Sequence, residues 1–492
     1  MGGRALKRIL FAVSELYPVI KTGGLADAAA GLTRSLRALG LDVLPVIPAY
    51  TAVLDALTEI EEVARLQVAG CLRPRQARVL RAVCADLDSP VLLVEIEDLF
   101  ARAGNPYQGP DGHDWWDNGE RFGLFAKVVT EIAMDRIGMG WKAQLVHCHD
   151  WQTGLIPALL SRETRPPRTL FTIHNLSYLG LFPRSLFDQL GLPADWWHYE
   201  KLEFYGYLSF LKAGILFADQ VTTVSPSYAE EICRPENGYG LHGLLEQRRS
   251  QGQLQGILNG MDTSVWNPES DSLIPCRYSV KRGRVAGKKH NKEALLERFA
   301  ASAELVDTPL CGFIGRLVEQ KGIDLILDAI PQMIASSKAA FVLVGTGMAH
   351  YEAALRKLAA DFPQRVFVHI GYDESLAHLI EAGCDLFLMP SRFEPCGLNQ
   401  LYSLAYGTLP VVHGTGGLKD TVVDATPAQV SAKEATGFVF TPADTPSLVH
   451  ALHRGLALYQ RPRSWQTVQK TAMEQDFSWG GSAKAYRELY RR

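Results

Sequence analysis

Residues 9–40 read ILFAVSELYPVIKTGGLADAAAGLTRSLRALG. A short apolar run, Ile9 to Ser14, is followed by a loop carrying Gly23 and Gly24, then by a helix-periodic stretch that Gly40 closes as a C-terminal cap. Strand, glycine turn and helix together form the repeating unit of a parallel sheet, because parallel neighbours need a crossover between them. The rhythm returns at Leu145 to His149, Leu170 to His174 and Val221 to Val224. After the last of these, Ser225 and Pro226 are expected to open a helix, with Ser227 and Glu230 at capping-box spacing.

Beyond Leu254 to Leu258 the rhythm stops. A Pro-, Ser- and Lys-rich stretch, Asn267 to Lys289, leads to a second series that begins at Cys311 with CGFIG. Its strand candidates are Phe341 to Val344, Val366 to Ile370, Leu386 to Met389 and Pro410 to Val412. The reading is α/β: two doubly wound parallel-sheet domains with a border near residue 260. Loops at the carboxyl ends of two such sheets are expected to bound a shared ligand cleft.

Composition fits two sizeable domains. The chain has 492 residues, 47% hydrophobic and 21% charged, with 50 Lys plus Arg against 53 Asp plus Glu. That balance calls for no nucleic-acid partner. The densest basic run, Lys281 to Lys289, reads as a solvated linker. Cys71, Cys84, Cys148, Cys233, Cys276, Cys311, Cys384 and Cys396 form no CxxC pair, which argues against a zinc site or disulfide framework and for a reducing cytoplasm. No segment approaches the about 18 uninterrupted apolar residues of a membrane span. The run Ile9 to Val13 is too short for a signal-peptide core, so a soluble cytoplasmic protein is expected.

Four glycine-bearing turns carry the chemistry. In KTGGLAD (21–27), Gly23 and Gly24 let a ligand approach the backbone, the helix start offers amides to a phosphate, and Lys21 adds a charge. In GRLVEQKG (315–322), Arg316 and Lys321 can neutralise a diphosphate; the alternative is a surface pairing with Glu319. In SRFEPCGLNQ (391–400), Glu394 can grip sugar hydroxyls or steady positive charge at an anomeric carbon, or else cap the following helix. Cys396 reads as packed rather than nucleophilic. GTGGLKDTV (414–422) offers a second nest of amides, or only a turn.

Two histidine-bearing loops and an aromatic run complete the set; histidines at strand ends are often satisfied core residues. His149 and Asp150 in HCHDWQTGL (147–155) and His174 in TIHNLSYLG (172–180) are expected to open onto the cleft. The run GNPYQGPDGHDWWDN (104–118) mixes rings that stack on sugar faces with groups that bond hydroxyls, which suits a carbohydrate; the alternative is a packed surface loop.

These motifs, with LEFYGYLSFLKAGILFADQVTTVSPSYAEEI, ILNGMDTSVWNP and PSRFEPCGLNQLYSLAYGT, stand in the order that marks bacterial glycogen synthases and plant starch synthases. The chain resembles that family from about Ile9 to Trp479. The resemblance implies a GT-B fold of two Rossmann-like domains, residues 1–258 and 259–473, with a terminal helix, 474–492, crossing back to the first. It implies retaining transfer of glucose from ADP-glucose to the non-reducing end of an α-1,4-glucan such as glycogen, without metal or cofactor. By the same resemblance Lys21 and Gly24 meet donor phosphates, Arg316 and Lys321 neutralise the leaving diphosphate, Glu394 holds the donor sugar and His174 lies beside its anomeric carbon. Asp150, Asn259, Cys396, Thr415, Gly416 and Gly417 match further donor positions. Tyr372 is the candidate for stacking on adenine, and Asn175 and Tyr107 are the acceptor candidates.

Three positions depart from family patterns. Tyr402 stands where animal and fungal members carry a second glutamate, favouring ADP over UDP; His242 replaces an acid and His413 an arginine. Rival readings are a metal-dependent transferase using Asp86-Leu87-Asp88, a GT-B transferase with another nucleotide donor or a small acceptor, and a non-catalytic glucan-binding relative.

Overall fold

A computed structural model describes residues 8–87, 89–280 and 285–491. The chain divides into two compact units, Met1–Gly260 with Trp479–Arg492, and Met261–Ser478.

The first unit is built on strands β1 (Arg8–Ala12), β2 (Asp42–Pro48), β3 (Glu61–Ala69), β4 (Pro74–Cys84), β5 (Ser89–Ile96), β6 (Leu145–His149), β7 (Arg168–Ile173), β8 (Leu181–Pro183), β9 (Glu203–Phe204), β10 (Tyr207–Ser209), β11 (Gln220–Thr223) and β12 (Leu254–Gly256). Nine of them form one sheet in the order β12-β11-β7-β6-β1-β2-β5-β4-β3, while β8, β10 and β9 make a small antiparallel sheet. From β12 to β5 every pairing is parallel, with Ile9 opposite Leu145 and Val43. These strands are short apolar runs covered on both faces, so the parallel reading holds.

The expectation of an all-parallel sheet fails at one edge, where β4 runs antiparallel to both β5 and β3. Along β4 the arginines Arg75, Arg78 and Arg81 stay partly or fully exposed while Ala77, Val79, Leu80, Ala82 and Cys84 are buried, so this edge is only partly covered, as an antiparallel edge can be. The expected capping box also fails. Ser225, not Ser227, is the N-cap of helix Pro226–Glu231, its hydroxyl accepting the Tyr228 N–H at 3.2 Å. The terminal helix runs Trp479–Leu489 and buries Trp479, Ala483, Tyr486 and Leu489 in the first unit's core.

The second unit holds β13 (Leu310–Ile314), β14 (Ala340–Gly345), β15 (Val366–Ile370), β16 (Leu386–Met389), β17 (Leu409–His413) and β18 (Phe438–Phe440). Their order is β15-β14-β13-β16-β17-β18, parallel throughout, with helices closing the core on both sides. Both units are therefore doubly wound α/β, the fold class expected from the sequence.

The basic run is not a solvated linker at its end. Lys288 is buried, donating to the Glu381 and Ala382 carbonyls at 3.1 Å and to the Thr408 hydroxyl. An ammonium can be buried where several acceptors surround it, which adjacent sequence does not reveal. Lys281 to Arg284 lie outside the described residues, as does Asp88. Asp86 sits in a single 3-10 turn, Ala85–Leu87, between β4 and β5. Tyr402 is buried and stacked on Trp266 at 3.9 Å, with His378 on the opposite ring face at 3.8 Å.

Candidate functional site

In the first unit the candidates gather where the parallel strands end. The loop after β1 is organised by Glu15, a residue the motifs did not single out. Only 3% exposed, it accepts the Thr22 hydroxyl at 2.6 Å, the N–H groups of Thr22 and Gly23, and the Tyr107 hydroxyl. Burying a carboxylate is costly unless several donors face it, as they do here. Two of the loop's amides are thus already used, and the nest expected for a phosphate begins with the free donors of helix Gly24–Ala38. Gly23 has an extended backbone, and a Cβ added to it would meet nothing within 4 Å. Neither conformation nor packing within the chain demands glycine there, so the bare backbone leaves room for a ligand. Lys21 lies beside it, paired with Asp27 at 2.8 Å.

Tyr107 belongs to this loop assembly. Its hydroxyl also meets Ser14 Oγ at 2.8 Å, and burial next to Glu15 raises its pKa well above the ordinary phenol value. Its hydroxyl is therefore committed to the loop, whatever its ring contacts.

At the end of β6 the backbone is strained. Asp150 has φ 55° and ψ −178°, a region close to exclusive to glycine. The strain aims its carboxylate at the next loop, where Oδ1 accepts the N–H of His174 at 2.7 Å and of Asn175 at 3.4 Å. Burial raises the Asp150 pKa to about 7 against those two bonds, and burial lowers that of His174 to about 3, so the imidazole is neutral. His149 does not open onto the rim: it is 1% exposed, packed against Phe11 at 4.2 Å with the rings tilted by 37°, and its Nδ1 lies 2.9 Å from His174 Nε2. Asn175 Oδ1 accepts the N–H and hydroxyl of Ser177, which fixes the turn. Asn259 lies three residues past β12 and is 9% exposed.

In the second unit the decisive contact joins the loop after β13 to the loop after β16. Lys321 Nζ donates to Glu394 Oε2 at 2.6 Å, and Ser391 Oγ donates to the same oxygen at 3.0 Å. Oε1 takes no hydrogen bond from the described residues. Glu394 is 6% exposed, and it is not a helix cap: helix Asn399–Tyr406 begins after Leu398 with no side-chain cap. Lys321 turns to Glu394 rather than to neighbouring Glu319. The loop is braced by Arg392, which forks onto Asp324 at 2.8 and 2.6 Å, and by Gln320, which donates to the Phe393 carbonyl at 3.2 Å.

Gly416 and Gly417 serve this carboxylate loop directly. A Cβ at Gly416, whose φ is +45°, would lie 2.0 Å from the Glu394 carbonyl oxygen; one at Gly417 would lie 2.1 Å from that of Cys396. The Gly417 N–H donates to the Glu394 carbonyl at 3.1 Å, so this amide is not available to a phosphate. Thr415 and Cys396 are buried beside them. His413, at the end of β17, holds the Ser391 carbonyl through Nδ1 at 2.8 Å. Arg316 and Tyr372 are exposed, Tyr372 to 74%, each just past the carboxyl end of its strand. Sequence reading missed Glu15, Ser391, Gln320 and Arg392; an acid directly after the apolar run ending at Ser14 was the only local signal among them.

Among the described residues no group of three or more His, Cys, Asp or Glu is placed to hold a metal ion, and no helix is long and apolar enough to cross a membrane.

The family described as "Starch synthase catalytic domain" matches residues 8–247, and "Glycosyl transferases group 1" matches residues 308–457. The chain is 52% identical over 487 residues to the glycogen synthase of Hydrogenovibrio crunogenus, covering 98% of this chain and 99% of that one. It is 51% identical over 484 residues to the glycogen synthase of Thioalkalivibrio sulfidiphilus, with coverage of 98% and 99%. The solved catalytic domain of starch synthase IV from Arabidopsis thaliana, bound to ADP and acarbose, superimposes with a TM-score of 0.89 at 32% identity and 99% coverage of both chains. A sucrose-phosphate synthase from Thermosynechococcus elongatus shares the fold at TM-score 0.60 and 17% identity.

Proposed function

Because the chain belongs to the glycogen and starch synthase family of GT-B glycosyltransferases, we propose that it moves glucose from ADP-glucose to the non-reducing end of an α-1,4-glucan with retention of configuration. The observation that carries this reading is the Lys321–Glu394 pair: a cation and a half-engaged carboxylate on one strand-end rim, braced by Ser391 and by the glycines of residues 416–417.

The chemistry divides between the residues as follows. Arg316 and Lys321 draw electron density onto the departing diphosphate, worth on the order of a few kcal/mol per cation at about 4 Å near a protein surface. Glu394 Oε1 binds a hexose hydroxyl while Oε2 stays on Lys321 and Ser391. In the first unit the helix start at Gly24 and Lys21 meet phosphate oxygens, and neutral His174, with Asp150 behind its backbone, faces the sugar. The bond from the anomeric carbon to the phosphate oxygen breaks with its electrons going to ADP. The acceptor hydroxyl forms the new bond from the same face and gives its proton to the departing phosphate. Cationic side chains do the work of neutralisation here, so no metal or cofactor enters the proposal. Tyr372 is proposed to stack on adenine, and the compartment is proposed to be the cytoplasm.

The test is release of the nucleoside diphosphate, ADP from ADP-glucose and UDP from UDP-glucose, each measured with and without glycogen. Glycogen-dependent release with ADP-glucose supports the proposal. Release of equal rate from UDP-glucose, or no dependence on glycogen, overturns donor or acceptor respectively.

A further inference from the structure

His149, at the end of β6 and behind the rim residue His174, takes no part in the proposed chemistry and is 1% exposed. Its ring packs against Phe11, at 4.2 Å, and His147, at 4.0 Å, two rings that also touch each other at 5.1 Å. Nδ1 is bonded to His174 Nε2 at 2.9 Å, while Nε2 is buried with no hydrogen-bond partner. His147 cannot supply that partner, because its own nitrogens are taken by Tyr490 OH at 2.9 Å and Thr172 Oγ1 at 2.7 Å.

A hydrogen bond between two neutral imidazoles needs one N–H and one bare nitrogen, so the two tautomers are locked together. If Nε2 of His149 carried the proton, an N–H would be buried with no acceptor, the rarer and costlier kind of orphan. The alternative leaves Nε2 bare among aromatic rings and puts the proton on Nδ1, where it donates to His174 Nε2. His174 must then carry its own proton on Nδ1, the ring nitrogen that takes no hydrogen bond from the described residues and is not sealed from solvent. That outer nitrogen is not among the sealed, unpartnered atoms, so the enclosed end, where Nε2 of His149 has no partner, decides the tautomer.

We propose that His149 is a positioning residue that fixes His174 as the neutral tautomer protonated at Nδ1, so that the rim presents an N–H donor to an oxygen of the bound sugar. This rests on the reading of His174 as a sugar-facing residue, and it goes beyond it by assigning the proton and the residue that sets it. Burial lowers the pKa of both rings, His149 well below the ordinary value, which keeps the pair neutral at physiological pH.

The test joins nitrogen NMR to kinetics on the full-length protein. With 15N-labelled histidine, His174 is expected to show a pyrrole-type Nδ1 and a pyridine-type Nε2, assigned by the signals lost in His174→Gln. His149→Phe, which keeps the stacking but removes the donor, is expected to return His174 to the solution mixture of tautomers and lower kcat/KM for glucosyl transfer about tenfold, the effect of one hydrogen bond. His149→Asn, whose side-chain amide places an N–H near the position of Nδ1, is expected to restore both signals and most of the rate. A pyrrole-type Nε2 on His174 in the unaltered protein overturns the assignment even where transfer is normal. Absence of transfer in the unaltered protein overturns the function and leaves the tautomer reading to stand or fall on the spectra.

Discussion

Lys321 and Glu394, 73 residues apart in sequence, meet at 2.6 Å, with side-chain exposures of 21% and 8%. A pair this enclosed contributes less by its own attraction than each partner would lose if left alone, because an uncompensated charge would remain in a partly dry site. Lys321→Met is therefore expected to lower unfolding stability by about 1–3 kcal/mol. Adding Glu394→Gln should recover part of that loss. Urea unfolding of the two single variants and the double variant checks it; additive losses would show that the pair is not coupled.

The same carboxylate should matter more to rate than to binding. Oε2 is held by the protein and Oε1 is left for a ligand, so truncation removes a contact made to the sugar as charge develops on it. Glu394→Ala is expected to cut kcat by at least about a hundredfold, a loss of about 2.7 kcal/mol in transition-state stabilisation, with a much smaller change in donor affinity. Steady-state kinetics beside ADP-glucose binding measures both; an unchanged kcat would remove Glu394 from the mechanism.

How far such contacts were legible in the sequence depends on their range. The βα rhythm is a local pattern, so β1, β6, β7 and β13 to β17 could be placed from short apolar runs before glycine, serine or histidine turns, while the three-residue β18 was not. The β3–β4 hairpin was not seen, because the arginines of β4 recur every third residue, which gives neither a continuous apolar run nor the strict alternation of a half-buried strand. For Lys321 the local alternative was Glu319, two residues away, yet its partner lies on another loop. Glu15 reaches Tyr107 across 92 positions, and Lys288 reaches Thr408 across 120. Motifs marked the loops that carry chemistry, and the folded chain shows which amides and carboxylate oxygens those loops have already used.

The pH dependence of stability follows from Asp150 and the histidines behind it. Burial lowers the pKa of His174 from 6.5 to about 3 and moves His147 and His149 the same way. Below pH 6.5 the unfolded chain binds protons that the folded chain refuses, so these groups make stability fall as pH drops toward 3. Asp150 acts in the opposite sense. Its folded pKa of about 7 lies above the ordinary 3.8, so between those values the folded state holds the extra proton and its contribution is lost as pH rises. Asp150→Asn removes that opposing contribution, and its acid-side loss of stability is expected to be steeper than in the unaltered protein. Urea midpoints at pH 5 and pH 7 decide it; an unchanged or shallower slope would contradict the assignment.

Gly417 offers the sharpest test of whether the glycine turn after β17 is a phosphate nest or a brace for the carboxylate loop. Its N–H is spent on the Glu394 carbonyl at 3.1 Å, and a Cβ would approach the Cys396 carbonyl oxygen to 2.1 Å, so one of the two loops must shift. Both neighbours are backbone, which cannot yield as a flexible side chain can. Gly417→Ala is expected to lower stability by about 1–3 kcal/mol and to cut kcat as Glu394 leaves its place beside Lys321. A brace predicts that affinity for ADP alone changes little, since Lys321 and Arg316 remain. A nest predicts the reverse, a large loss of ADP affinity with the rate at saturating donor preserved. Isothermal titration with ADP beside steady-state kinetics separates the two, and the bonds already made by Gly417 favour the brace.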